Sequence, residues 1–465
     1  MSRRKAKDPR AVGTRHLVQV EAMDGAATAT ARDLDGLRFR VPFGVPGDTV
    51  RVEVTARGRK DAWTRIVEVV RPSNKRVAPP CSIVMLCGTC PWQAIEYEAQ
   101  LTYKGDALRA ALGARPELGD VTVSDPVGIA PSLGYRTKVQ MPIAGHTGSL
   151  LAGFYAPRSH AFIAARECVV QHPLAEAVRT EVIRLLNRHD IAPYEENTHT
   201  GVLRTILVRV AEGTGQVGVV LVVRDFEAVD WTKMVADLIA VPNLTGVWVN
   251  ENTEQTNAVL GPRTVHISGA RRLQDKIAGI PMLRAPTAFF QTNHRAAELL
   301  VGILRDTVKG GKDLVDLYSG GGLFAAALAD RFETLHLIES NADAITAATA
   351  TLDAMGITKA QVHKGTAEEQ LPRLTDQLDS VDAMIVDPPR AGMSEEVVAA
   401  VLAMAPKQLV YVSCRPKSLA RDLARLAERY VVEEVRAVDM FPHTPHVEAV
   451  GLLRLRSADK TSTRS

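Results

Sequence analysis

No apolar run in this 465-residue chain approaches the roughly 18 residues that a membrane-spanning helix needs. The longest, Val217 to Val223 ("VGVVLVV"), has the length of a strand. The opening "MSRRKAKDPR" contains no apolar core segment, so no secretory signal is expected. The expectation is a soluble cytoplasmic protein with no membrane partner, acting as a monomer. Internal repeats and low-complexity tracts are missing too. There is no G-x-G-x-x-G and no Walker lysine, which argues against a dinucleotide or ATP as the bound cofactor. Cysteine is scarce, with five in the chain.

What is present supports folded cores. The chain is 46% hydrophobic and 23% charged, and its length suits two to four domains. The net charge of +3 is unevenly spread. Residues 1–80 carry 17 Lys/Arg against 9 Asp/Glu, and the remainder carries 39 against 44. A basic N-terminal module on a mildly acidic body suits a polyanionic partner, although a basic tail with ordinary surface lysines would read the same way.

Residues 1–12 read as a disordered basic tail. From there to residue 71, short β-rich runs ("HLVQVEAM", "LRFRVPFG", "DTVRVEVTARG", "WTRIVEVV") broken by Gly and Pro predict a small β-barrel. Arginines at 32, 38, 40, 51, 57, 59 and 65 lie on or between those strands, a pattern common in nucleic-acid platforms. Residues 72–285 read as a central α+β domain, with helical stretches at 93–112, 173–188 and 229–240 and no motif tied to catalysis. From 286 to 457 helices and strands alternate, which predicts an α/β, doubly wound, Rossmann-like domain. Residues 458–465 read as a second disordered tail.

Cys81, Cys87 and Cys90 form C-x5-C-x2-C in one Pro/Gly-rich loop, which buried core cysteines do not do. A disulfide is disfavoured in a cytoplasmic chain, so metal is the better reading. With one C-x2-C pair where a zinc ribbon has two, the spacing favours a [4Fe–4S] cluster; zinc and unligated thiols are the alternatives. Cys168 is the other cysteine outside the C-terminal motifs and completes a set of four.

"DLVDLYSGGG" (Asp313 to Gly322) reads as a strand entering a glycine-rich turn and then a helix, "LFAAALADRF". Glycines let backbone approach a ligand, and a helix N-terminus adds donors. The next strand, "ETLHLIES", carries Glu339 at its end, where a carboxylate can bind both ribose hydroxyls of a nucleoside. S-adenosylmethionine fits this better than a dinucleotide. Farther on, "VDAMIVDPPRAG" is a buried strand stopped by prolines, which holds Asp387 at the carboxyl edge of the sheet. "KQLVYVSC" is another, ending on Cys414 before the amphipathic helix "RPKSLARDLARLAERY" with Leu419, Leu423 and Leu426 on one face. A helix N-terminus and the adjacent Arg415 are both expected to favour the Cys414 thiolate. Glu448 follows the rigid "DMFPHTPHV", where apolar surroundings would raise its pKa and suit a base. His443 and His446 read as locally hydrogen-bonded rather than metal-bound.

These motifs resemble those of the class I RNA 5-methyluridine (uracil-C5) methyltransferases, in the iron–sulfur branch with an N-terminal, OB-like TRAM domain. The likeness runs from about Gly13 to Leu455. It implies Cys81, Cys87, Cys90 and Cys168 as ligands of a [4Fe–4S] cluster. "FFQTN", "DLYSGGG" and "HLIES" resemble the S-adenosylmethionine motifs and imply Gln291, Tyr318 and Glu339 as cofactor contacts. Thr366 in "KGTAEE" lies where a further contact is expected. The last three motifs imply Asp387 at the cofactor–uracil boundary, Cys414 as nucleophile and Glu448 as base. Ser319 stands where the family usually has Cys, Arg415 where Asn is common, and Leu323 at an often polar position. None of these removes a reacting group.

Uracil C5 is a poor nucleophile, and thiolate addition at C6 makes it carbanion-like. The expected reaction is methyl transfer to C5 of a uridine in RNA, most simply 23S ribosomal RNA by resemblance, with tRNA the alternative. A paired uridine must first be flipped out, at a cost of a few kcal/mol. A non-catalytic RNA-binding or assembly factor on a degenerate fold is a different class, which the intact Cys414 and Glu448 disfavour. A DNA or small-molecule C5-methyltransferase is another, and the basic barrel disfavours a small substrate.

Overall fold

The computed structural model describes residue 8 and residues 10–24, 28–285, 287–288 and 290–457. Of the tails expected at 1–12 and 458–465, only 8 and 10–12 fall among these residues. Among the described residues, no helix is long and apolar enough to cross a membrane. The chain divides into two compact units. One comprises Met1–Ala107, Tyr155–Ala161 and Phe441–His446, and the other comprises the rest.

In the first unit, five strands form a closed barrel: β1 (Arg15–Met23), β2 (Thr28–Arg32), β3 (Arg38–Pro42), β4 (Thr49–Arg57) and β5 (Ala62–Arg71). Alternate residues point inward, so Val18, Val20, Phe39, Val41, Val50, Val52 and Val54 fill the core while the arginines between them face out. Closure leaves no edge for another chain to pair with. Asp48, fully buried, ties the following linker to the barrel: it accepts from Val45 N–H (2.8 Å) and Ser73 N–H (2.9 Å) and pairs with Arg76. Helix α1 (Val84–Cys87) is a single turn, and α2 begins at Tyr97 and runs to Gly113. His443 lies against α2. Its N–H donates to Gln100 Oε1 (2.7 Å), and its Nδ1 lies 3.1 Å from Gln100 Nε2.

The second unit holds two large sheets. The first has seven strands: β7 (Lys138–His146), β8 (Ser149–Tyr155), β9 (Phe162–Ala164), β10 (Leu203–Ala211), β11 (Gln216–Val223), β12 (Leu244–Glu251) and β13 (Arg263–Gly269), in the order 13-12-11-10-7-8-9. Helices α3 (Pro173–Arg188) and α4 (Trp231–Ile239) pack on it. β10 and β11 are buried on both faces, which is why they read as unbroken apolar runs. A hairpin follows, β14 (Leu273–Ile277) and β15 (Ile280–Arg284).

The second sheet has eight strands: β6 (Thr122–Val127), β16 (Gly311–Leu317), β17 (Phe332–Glu339), β18 (Ala360–Lys364), β19 (Ala383–Val386), β20 (Gln408–Ser413), β21 (Tyr430–Val438) and β22 (Glu448–Leu455). Their order is 18-17-16-19-20-22-21-6. The first five are parallel, β22 is antiparallel to both neighbours, and β6 pairs with β21. This is the doubly wound, Rossmann-like arrangement expected, with helices α5 (His294–Thr307), α6 (Leu323–Leu328), α7 (Ala342–Ala354), α8 (Ala367–Thr375), α9 (Glu395–Met404) and α10 (Pro416–Leu426) around it. Helix α6 is shorter than the "LFAAALADRF" pattern predicts. A 3₁₀ turn at Ala329–Arg331 ends it, and Phe332 already belongs to β17. Leu419, Leu423 and Leu426 are fully buried, as the amphipathic pattern of α10 predicts.

Candidate active site

Strand register assembles the site. Leu317 pairs with Val386, and Val386 with Tyr411, so Tyr318 and Asp387 emerge side by side just before Cys414. β22 runs back along β20 with Ala449 opposite Ser413, which brings Glu448 opposite Cys414. All four lie where the parallel strands end, the edge at which such sheets bind ligands. Pro388 and Pro389 prevent β19 from continuing, and Gly392 N–H closes a tight turn onto Pro389 O (2.8 Å) with Arg390 at its first corner.

Burial sets the protonation of this edge. It pushes Asp387 up to about 7 and Glu448 well above the ordinary carboxylate range, the latter helped by the Asp387 charge and opposed by Arg390. Cys414 is half-buried, and its thiol is raised, first by burial and then by the Glu448 charge. A hydrogen bond and the positive charge of Arg390 pull it back down. This corrects the expectation of a thiolate favoured by Arg415. The Arg415 side chain is exposed and does not figure among the groups that shift the thiol; the nearby guanidinium belongs to Arg390. The Glu448 and Asp387 charges thus oppose the Cys414 thiolate, and the Arg390 charge favours it.

The glycine-rich turn lies beside this edge. Tyr318, Gly320 and Gly322 all have positive φ (63°, 53° and 76°), a conformation glycine adopts without strain and Tyr318 does not. A side-chain carbon on Gly321 would press on Met282 (3.3 Å) and Phe290 (3.4 Å), so glycine lets the turn pack closely against those two side chains. Glu339 is held by three backbone donors: Gly320 N–H (2.9 Å), Ser340 N–H (2.8 Å) and Asn341 N–H (2.7 Å). The Ser319 hydroxyl and one Asp316 oxygen are buried without a hydrogen-bond partner, as polar groups awaiting a ligand would be. Gln291 is half-buried beside Asn293, which caps α5 by accepting from Ala296 N–H (3.2 Å) and donates to Met440 O (3.0 Å). Thr366 is the exposed N-cap of α8, in a reciprocal capping box with Glu369. That capping bond accounts for Thr366 without any ligand.

Of the four cysteines expected to hold a cluster, Cys81 precedes α1, Cys87 ends it, and Cys90 is buried in the following loop. Cys87 Sγ lies 3.0 Å from Thr89 Oγ1. Cys168 precedes α3, and its N–H donates to Glu176 Oε2 (3.1 Å). Among the described residues, no three His, Cys, Asp or Glu side chains are grouped as a metal ion would require.

Two members of the site escaped the sequence reading. Asp316, mid-strand in "DLVDL", is fully buried and pushed up to about 7 by burial and by the charges of Asp387 and Glu339; it accepts from Ala325 N–H (3.0 Å). An acidic residue inside an apolar strand was the available signal. Arg390 was visible in "PPRAG", but nothing local shows that its charge acts on the thiol.

A glycine-rich turn and a strand-end carboxylate on a sheet of this order define an S-adenosylmethionine-dependent methyltransferase. Residues 282–456 match the family model for tRNA (uracil-5-)-methyltransferase. An uncharacterised RNA methyltransferase of Halalkalibacterium halodurans is 32% identical over 439 residues, covering 93% of this chain and 95% of that one. One of Thermosynechococcus vestitus is 35% identical over 448 residues, covering 94% and 97%. The crystal structure of Pyrococcus abyssi tRNA (uracil-54, C5)-methyltransferase in complex with S-adenosyl-L-homocysteine superposes with a TM-score of 0.75 at 26% identity, covering 94% of this chain and all of that one. The chain belongs to the class I RNA uracil-C5 methyltransferase family, enzymes that use S-adenosylmethionine to methylate C5 of uracil in RNA.

Proposed function

We propose that the protein methylates a uridine of 23S ribosomal RNA through a covalent bond between Cys414 and uracil C6. The observation that carries this reading is the register placing Cys414 opposite Glu448 beside Asp387. Bound S-adenosylmethionine supplies an electrophilic methyl group. Tyr318, Gln291, Glu339 and the glycine turn would hold it, with Asp387 at the boundary between cofactor and uracil. Thr366 joins them in this reading by resemblance alone.

The Cys414 thiolate adds to C6, and the C5–C6 π electrons move towards O4 as an enolate. C5 then takes the methyl group, whose bond to the cofactor sulfur breaks with the electron pair staying on that sulfur as a thioether. Glu448 removes the C5 proton, the C5–C6 double bond re-forms, and the sulfur leaves as thiolate. Arg390 stabilises that thiolate at the start and end of the cycle. Exchanging Cys414 for Ala should abolish 5-methyluridine formation, and undiminished product would refute the scheme.

Ribosomal RNA as substrate is supported by the likeness of the cysteine motif to the iron–sulfur branch. The Pyrococcus abyssi relative favours tRNA as the second reading. Mass-spectrometric mapping of 5-methyluridine in both RNA pools of a deletion strain separates the two. In the same reading, Cys81, Cys87, Cys90 and Cys168 would supply four thiolates to a [4Fe–4S] cluster; thiolate is the donor type such clusters take, but the described side chains are not gathered as a metal requires. The cluster would organise chain segments; no step of methyl transfer needs an electron from it. The barrel, with its outward arginines, is read as a TRAM domain that binds RNA phosphates.

A further inference from the structure

Helix α10 starts two residues after Cys414, and its first turns grip the loop that carries Arg390. Asp422 is fully buried. It accepts from Met393 N–H (2.9 Å) and from the Tyr411 hydroxyl (2.6 Å), and pairs with Arg421 (2.8 Å) and Arg425 (3.7 Å). Arg421 donates to Ala391 O (2.6 Å), and the Ser418 hydroxyl lies 3.1 Å from Arg390 O and from Arg415 O. Three positions of the loop, Arg390, Ala391 and Met393, are therefore held by residues on one face of α10. Gly392 permits the approach: a side-chain carbon there would sit 2.3 Å from Asp422 Oδ2 and 2.4 Å from Arg421, and its φ is +84°.

Tyr411 lies on β20, the strand that ends at Cys414, so Asp422 joins strand, helix and loop. An acidic side chain buried in the hydrophobic cluster around Leu419 and Leu423 is unfavourable unless its bonds do something a leucine could not. Here it ties the turn that carries Arg390 to the strand that ends at Cys414.

We propose that Asp422, assisted by Ser418 and Arg421, is a positioning residue that holds the turn carrying Arg390 beside the corner that carries Cys414. It touches neither substrate nor cofactor and acts through Arg390. The charged groups that shift the Cys414 thiol are Glu448, Arg390 and Asp387, and Asp422 is not among them. The inference rests on Cys414 being the reacting sulfur, but its test needs no RNA.

The test is the pH dependence of Cys414 alkylation by iodoacetamide, resolved by peptide mass spectrometry on the full-length protein. Arg390→Ala should raise the pH midpoint by about one unit, as loss of an adjacent opposite charge does. Asp422→Asn should raise it by about half a unit or more. Simple removal of a negative charge would lower the midpoint, so the upward sign reports loss of the Arg390 contact. In the double variant the Asp422 change should add nothing. If Asp422→Asn does not fold, Arg421→Ala and Ser418→Ala, which keep the buried carboxylate, should move the midpoint in the same direction. An unchanged or lowered midpoint in the Asp422 or Arg421 variants, or additivity in the double variant, would overturn the proposal, as would an Arg390→Ala midpoint equal to wild type. A shift as predicted without any RNA adduct would instead refute the covalent mechanism and leave the positioning role standing.

Discussion

Three charged groups pull the Cys414 thiol in opposite directions: Glu448 and Asp387 raise it, and Arg390 lowers it. In the proposed mechanism turnover needs the thiolate, so kcat/KM should rise with pH, and Arg390→Ala should displace that rise to higher pH. In that mechanism Glu448 acts after sulfur has added. Glu448→Gln should therefore leave the methylated adduct stranded on the enzyme and lower turnover by roughly 10²–10⁴-fold, the usual loss for a missing general base. Denaturing gels of the variant with RNA would show the retained complex. Asp316 gives a stability prediction. Its carboxyl is held near 7 in the fold against an ordinary 3.8, so folding takes up a proton. That contribution is complete below about pH 4 and is lost as pH rises towards about 7. Asp316→Asn keeps an acceptor for Ala325 and cannot ionise, so the decline in Tm across that window should shrink.

Elements place these groups, and glycines limit how closely elements can approach. Gly392→Ala would force a positive φ on alanine and collide with Asp422. It should cost about 1–3 kcal/mol of stability by denaturant unfolding, the range for a residue forced into a rare backbone conformation. Gly321→Ala meets Met282 and Phe290 only at 3.3–3.4 Å, so it should fold and instead raise KM for S-adenosylmethionine. Element type was readable from the sequence because its signals are local: prolines stopping β19, a leucine stripe on α10, unbroken apolar runs in β10 and β11. Asp387, Cys414 and Glu448 stood out because each ends or begins a strand beside prolines or at a helix start. Arg390 and Asp422 were not readable as partners. Their meaning comes from β20, α10 and the turn after β19 meeting in space, and no spacing along the chain encodes that. The pairing of β6 with β21 was hidden for the same reason, since some three hundred residues separate them.

At the scale of the whole chain, charge and cysteines are divided by position. The first 80 residues hold the excess of Lys/Arg, so RNA affinity should fall steeply with salt, and exchanging barrel arginines such as Arg38 or Arg51 for Ala should flatten that slope by about one unit per lost phosphate contact. Cys81→Ala tests the cluster reading by iron content and thermal melting together, with loss of both expected. The most direct measurement of the central claim uses RNA carrying 5-fluorouridine, whose fluorine Glu448 cannot remove as a proton. With S-adenosylmethionine present, the enzyme should remain bonded to that RNA through the Cys414 peptide, and digestion should yield a methylated, fluorinated nucleotide on its sulfur. An intact, unmodified Cys414 peptide alongside methylated ordinary RNA would contradict the account.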